Sequence, residues 1–171
     1  MEEYQLENLI APILEEIKLW GDFPLIAAGG IWSHDDIATM LEKGASGVQM
    51  GTRFIGTHEC DAADTFKEVL LKSTKEDIQL FKSPVGVRTN LIQMVEKKEG
   101  PAIRCVSNCV SPCHRGQEAK AVGYCIADRL FDAYNGKVET GLFFTGANGY
   151  KLDEIISVKE LMTKLVHGET Y

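Results

Sequence analysis

No apolar run among the 171 residues approaches the roughly 20 needed to cross a bilayer, so no membrane partner is expected. The amino terminus, Met1-Glu2-Glu3, is acidic where a secretory leader needs positive charge followed by an apolar stretch. A cytoplasmic protein is the expectation, with its five cysteines as reduced thiols. Long runs of Lys and Arg are missing too. With 25 acidic against 18 basic side chains the net charge is −7, which leaves no basic stripe for nucleic acid. Internal repeats and low-complexity tracts are absent. What remains is an ordinary balance, 44% hydrophobic and 25% charged, in a chain long enough to bury a core.

The apolar residues Leu6, Leu9, Ile10, Ile13, Leu14 and Ile17 recur at helical spacing. Pro12 is tolerable only in a first turn, so the helix proper is expected to start near Asn8 or Leu9. Phe23 to Ala28 is a short apolar run without polar alternation, the pattern of a strand buried on both faces. Ser33 and Asp36 make a capping pattern for a helix carrying Ile37, Met40 and Leu41, which Gly44 would stop. Gly47 to Met50 reads as a second strand, and residues 61–72 as a helix with Phe66, Val69 and Leu70 inward. Helix, strand, helix, strand, helix over residues 5–72 argues a parallel α/β unit. Beyond it, Ile78 to Phe81 suits a short extended piece and residues 85–117 read as irregular. A helix is expected from about Lys120 to Tyr134, a strand over Gly141 to Asn148, and a last helix over Ser157 to Val166.

The informative feature is a pair of glycine-rich turns, each after a short strand. One is Ala28-Gly29-Gly30-Ile31 and the other Gln49-Met50-Gly51-Thr52-Arg53. A phosphate needs several backbone N–H donors converging at close range, and glycine removes the Cβ from the approach. A following helix adds its positive end. In (β/α)8 barrels the loops after strands seven and eight often form such a cradle. The plainer reading is that the glycines only close tight turns. Arg53 could neutralise a phosphate or form an internal ion pair.

The segment Pro24-Leu25-Ile26-Ala27-Ala28-Gly29-Gly30-Ile31, followed by Gly47-Val48-Gln49-Met50-Gly51-Thr52-Arg53-Phe54, resembles the nitronate monooxygenase family. That family was formerly called 2-nitropropane dioxygenase and is related to the flavin-type enoyl-acyl-carrier-protein reductases. The likeness runs on through His58-Glu59-Cys60-Asp61-Ala62, Phe66-Lys67-Glu68 and Ser83-Pro84-Val85-Gly86. It resumes at Gly141-Leu142-Phe143-Phe144-Thr145-Gly146-Ala147-Asn148 and Ser157-Val158-Lys159-Glu160-Leu161.

The resemblance implies FMN as cofactor and oxidation of alkyl nitronates with O2, or NAD(P)H-linked enoyl reduction as in the relatives. It places the FMN phosphate at Gly29 and Gly30 on one side and at Gln49, Met50, Gly51 and Thr52 on the other. Gly146 and Asn148 fall in the segment that would lie over the flavin. The implied fold is α/β: the last βα units of a TIM (β/α)8 barrel, with an irregular, helical carboxyl-terminal extension. Barrel units would occupy residues 1–80, a cysteine-containing and helical insertion 81–140, and a flavin-covering strand and turn with a final helix 141–171.

Two departures bear on function. The early strands of the family are missing, and with them a Gly-Gly-His motif whose histidine is the expected base. None of His34, His58, His114 or His167 stands in such a motif, so no catalytic residue is assigned. Val87-Arg88-Thr89-Asn90 stands where many relatives have Pro-Gly-Arg, so no role passes to Arg88. Half a barrel leaves open sheet edges, which implies either self-association or a missing amino-terminal half as partner to the small-molecule site. A non-catalytic FMN- or phosphate-binding half is the competing reading.

Cys105, Cys109 and Cys113 recur every four residues, with Cys125 twelve later. Thiolates at such spacing can hold zinc or an iron–sulfur cluster. Pro112 and Gly116 interrupt any single helix presenting all three, so free thiols are the reading taken and no metal is assigned. His34, in the first turn after the phosphate loop, could approach a ligand. For Glu59, beside Cys60, a capping role is preferred to an active-site one.

Overall fold

A computed structural model describes residues 5–82, 88–92 and 124–168. The chain divides into two compact units. One comprises the described residues up to 59 together with those from 155 onward, the other residues 60–154. Helix 61–72, expected among the barrel units, thus belongs with the second unit, and the final helix with the first. The described part of 141–154 also joins the second unit.

The first unit opens with α1 (Leu6–Lys18), β1 (Ile26–Ala28), α2 (His34–Glu42), β2 (Gly47–Gln49) and α3 (Thr52–Ile55), and closes with α6 (Val158–His167). Helix α1 begins at Leu6, so Pro12 sits inside it rather than in its first turn. The stripe Leu6, Ile10 and Leu14, packed on the core, offsets the proline's missing N–H. Strands β1 and β2 pair in parallel, Ile26 with Gly47, Ala27 with Val48 and Ala28 with Gln49. The apolar run 23–28 is not buried on both faces. Ala27 is 2% exposed but Ile26 is 51% exposed, because among the described residues β2 is the only strand paired with β1.

The core of this unit is Ile10, Ala27, Ile31, Met40 and Ala45, flanked by Ile37, Val48 and Met50. Ile37 and Met50 also pack on Ile156, Leu161 and Leu165, so α6 shares their apolar faces. The connection out of α3 and back into α6 is stitched by backbone bonds, His58 N to Ile156 O at 3.0 Å and Ile156 N to Gly56 O at 3.3 Å. Glu59 accepts the Val158 N–H at 2.9 Å, so its carboxylate serves the start of α6. Ser157 Oγ caps the same helix through Glu160 N.

The second unit holds α4 (Asp64–Lys72), β3 (Ile78–Lys82), β4 (Arg88–Ile92), α5 (Ile126–Tyr134), β5 (Phe144–Thr145) and a 3-10 turn, Gly149–Lys151. Its sheet is antiparallel in the order β3-β4-β5. The expected irregular stretch 85–117 therefore contains a strand at Arg88–Ile92; its remaining residues lie outside those described. Its alternation is weak, and long-range pairing with β3 and β5 decides it. Helix α5 starts at Ile126, with Cys125 as N-cap. The strand expected over 141–148 shortens to two residues. Val69, Leu70, Ile92, Ala133 and Phe143 are buried, and Phe66 meets Phe143 edge-on at 5.0 Å. No helix of the described residues is long and apolar enough to cross a membrane.

Loop 137–141 folds tightly onto α5. Asp132 accepts from Lys137 Nζ at 2.8 Å and Thr140 Oγ1 at 2.7 Å, and Arg129 donates to the Thr140 carbonyl at 3.2 Å. The Lys137 hydrogen bond, then that of Thr140, holds the Asp132 carboxyl below the usual carboxylate range. A Cβ on Gly141 would lie 2.7 Å from both Cα and N of Ala133.

Two outcomes are expected. Gly141→Ala must displace backbone rather than a flexible side chain, so urea unfolding should show a loss of about 1–3 kcal/mol; a change within about 0.5 kcal/mol would refute the crowding. Asp132→Asn should destabilise at neutral pH by about 1.5–3 kcal/mol, the range for hydrogen bonds to charged groups. The folded pKa of Asp132 is depressed, so its contribution is full above the unfolded value near 4 and is lost as pH falls through the folded one. The stability gap between wild type and variant should therefore shrink at low pH. A gap that stays constant from pH 7 to pH 2 would contradict this.

Candidate phosphate-binding site

The two glycine turns leave the carboxyl ends of adjacent, directly paired strands. The last pair, Ala28 and Gln49, stands at a strand spacing of about 4.8 Å, so both turns start side by side. The ladder pairs residues 21 apart, as Ile26 with Gly47. The same offset carries Gly30 to Gly51 and Trp32 to Arg53.

Gly29 has φ +105°, a left-handed conformation in which a side chain is strained. Gly51 is different. Its φ is −130°, and a Cβ built on it meets nothing within 4 Å. Neither backbone conformation nor packing inside the described chain requires glycine there. The open space beside it is what a phosphate drawn against the backbone would use, so the residues present fit that group.

Helix α2 contributes less than its dipole suggests. Its capping box is complete, with Ser33 Oγ accepting from Asp36 N at 3.2 Å. Asp36 Oδ2 accepts from Ser33 N at 2.9 Å and from Trp32 N at 2.8 Å. Those two N–H groups are engaged by a carboxylate of the chain itself. An anion would draw on the backbone of 29–31 and 51–53.

The Arg53 guanidinium lies on the Trp32 ring, its Cζ 5.0 Å from the centroid, within cation–π range. Trp32 is only 7% exposed. Sequence reasoning passed over Trp32, because its meeting with Arg53 follows from the β1–β2 pairing and no local pattern shows it.

The structure brings together Gly29, Gly30, Gln49, Met50, Gly51 and Thr52 at one end of the β1–β2 pair. Gly146 and Asn148 belong to the second unit, at the turn between β5 and Gly149–Lys151, where the Gly146 carbonyl accepts from Gly149 N at 3.0 Å. His34 Nδ1 lies 3.0 Å from the Leu165 carbonyl, which ties the ring to α6. That ring also edges an apolar cavity of about 460 Å³ lined by Ile37, Leu41, Met50, Phe54 and Leu165. An anion there would be desolvated among apolar side chains, so this cavity is no alternative to the turns. Cys60 and Cys125 are half-buried free thiols. Cys105, Cys109, Cys113 and His114 lie outside the described residues. Among the described residues no group of His, Cys, Asp and Glu is placed to hold a metal.

A probable nitronate monooxygenase of Staphylococcus haemolyticus is 32% identical over 98 residues, covering 54% of this chain and 26% of the relative. One from Staphylococcus aureus (strain Newman) is 26% identical over the same length and shares. Among solved structures, FabK from Thermotoga maritima superposes with a TM-score of 0.69 at 24% identity, covering 96% of this chain and 48% of that one. A nitroalkane oxidase from Streptomyces ansochromogenes gives 0.63 at 23%, covering 95% and 44%. The chain thus matches about a quarter of the length of these curated relatives and under half of each solved chain. The family model for nitronate monooxygenase matches residues 1–168, and the chain belongs to that family.

Proposed function

We propose that this chain supplies the FMN-phosphate cradle of a flavin-dependent oxidoreductase that oxidises alkyl nitronates with O2. Gly51 carries the reading: it is a glycine that nothing inside the described chain requires, at the end of a strand paired with the one that leads into Gly29 and Gly30. FMN, when bound, supplies the two-electron chemistry. The chain's own part is to bind the phosphate through the backbone of 29–31 and 51–53, with Gln49, Met50 and Thr52 bordering it. Gly146 and Asn148 would cover the flavin, an assignment that rests on family likeness.

The reading extends to a partner. The β1–β2 pair has no further strand among the described residues, Ile26 is half exposed, and the chain spans under half of the solved relatives. Strands of a complementary amino-terminal half would close a (β/α)8 barrel over these open edges and bring the histidine base that the family likeness places there.

Replacing Gly51 by Ala separates ligand from scaffold. Its melting should match wild type to within about 0.5 kcal/mol, while affinity for FMN falls at least tenfold in a fluorescence titration. Gly29→Ala should lose about 1 kcal/mol of stability from its left-handed backbone. Unchanged FMN affinity in Gly51→Ala would remove the cradle.

The 171-residue chain alone, reconstituted with FMN, should show no nitroalkane-dependent O2 uptake above free flavin. Proton abstraction needs a base within about 3 Å of the substrate; His34 is tied to the Leu165 carbonyl, and His58 is exposed beside the α6 junction. Supplying the preformed nitronate tests the step that bypasses the base. Robust turnover of the neutral nitroalkane would place the base within these residues.

A further inference from the structure

We propose that Trp32 is a positioning residue of the phosphate cradle, holding the Arg53 guanidinium where the FMN phosphate is bound. The inference rests on the cradle reading above and deepens it by naming the cation and what fixes it.

The local charge makes a cation necessary. The first turn of α2 carries Asp35 and Asp36, two carboxylates next to the turn that would receive a dianion. Between Ile26 and Gly56 the Lys and Arg residues are Lys43 and Arg53 alone. Lys43 caps the far end of α2. Arg53 follows Thr52 directly, so its backbone belongs to the second turn.

An arginine side chain loses much rotamer freedom when it is fixed on a ligand. A flat aromatic face that already carries the guanidinium removes much of that loss, because the planar group stacks and remains charged. The Trp32 ring is in that place, 5.0 Å from Arg53 Cζ. It is itself held in place: the residue is 7% exposed, and its backbone N–H is held by Asp36 at 2.8 Å. Asp36 therefore does two things. It withdraws two N–H groups from the anion, and it anchors the residue that supports the compensating cation. The β1–β2 pairing ends at Ala28 and Gln49, and the two turns that leave it bring Trp32 and Arg53 together.

The test compares FMN with riboflavin, which lacks the phosphate. Wild type, Trp32→Leu, Trp32→Phe, Arg53→Gln and the Trp32→Leu/Arg53→Gln double variant are titrated with each, and folding is checked by thermal melting. Wild type should prefer FMN at least tenfold. Trp32→Leu should lose most of that preference with riboflavin affinity within twofold of wild type. Trp32→Phe, which keeps an aromatic face, should fall between them. The double variant should be no worse than Arg53→Gln alone. If Trp32→Leu does not fold, Trp32→Phe and its combination with Arg53→Gln give the same comparison.

Equal losses for FMN and riboflavin would mean that Trp32 is merely structural, and would overturn the proposal. An undiminished FMN preference in Trp32→Leu would also overturn it while leaving the cradle intact. Wild type that binds neither flavin, or both equally, would remove the cradle itself and this proposal with it.

Discussion

The parallel pairing of Ile26–Ala28 with Gly47–Gln49 is the constraint on which the site depends. Three residue pairs are little structure in themselves, yet they set two turns beside each other at one strand spacing. Helix α2 spans the crossover, and its apolar face must pack on the same two strands. Met40 in the core and Ile37 packed against it therefore hold the register together with the backbone bonds. A slip by one residue would turn Ala27 out of the core and would separate Gly30 from Gly51 and Trp32 from Arg53 together.

The sequence made the first unit largely legible because its signals are local. The capping box at Ser33 and Asp36, the stop near Gly44 and the two apolar runs each lie within a few residues of what they specify. Reading the 23–28 run as buried on both faces went astray for a physical reason. A run without alternation records the surroundings of a strand in its closed sheet, and Ile26 has only one strand neighbour among the described residues. The second unit was less legible. Its strands Arg88–Ile92 and Phe144–Thr145 are held by pairing across long sequence separations, and no local pattern announces them. The site divides along the same line. The glycines could be read from the chain directly, whereas the Trp32–Arg53 stack depends on a register that appears only once β1 and β2 are paired.

A helix following a glycine turn invites the inference that its amino-terminal dipole receives the phosphate. Here the capping box weakens that inference. Asp36 satisfies the donors of Trp32 and Ser33 and brings a negative charge to the helix start, which stabilises α2 but opposes an anion. A cradle with such a helix must find its positive charge elsewhere, and the side chain that lies nearby is Arg53 on its aromatic support.

Glycines in this chain can be sorted by what demands them, and the sorting decides how far the phosphate reading can be pressed. Gly141 is demanded by the Ala133 backbone and Gly149 by the Thr145 side chain, since a Cβ at either would collide with its neighbour. Both explanations are internal and need no ligand. At Gly29 the positive φ suffices, so that residue alone would not distinguish a tight turn from a binding loop. Among the described residues Gly51 has no such cause: its φ is ordinary and the space beyond it is open. Two sources of the demand remain, something that occupies that space or a chain segment that packs there in a completed barrel. The proposed cradle takes the first: the phosphate of the flavin is what would occupy the space beside Gly51.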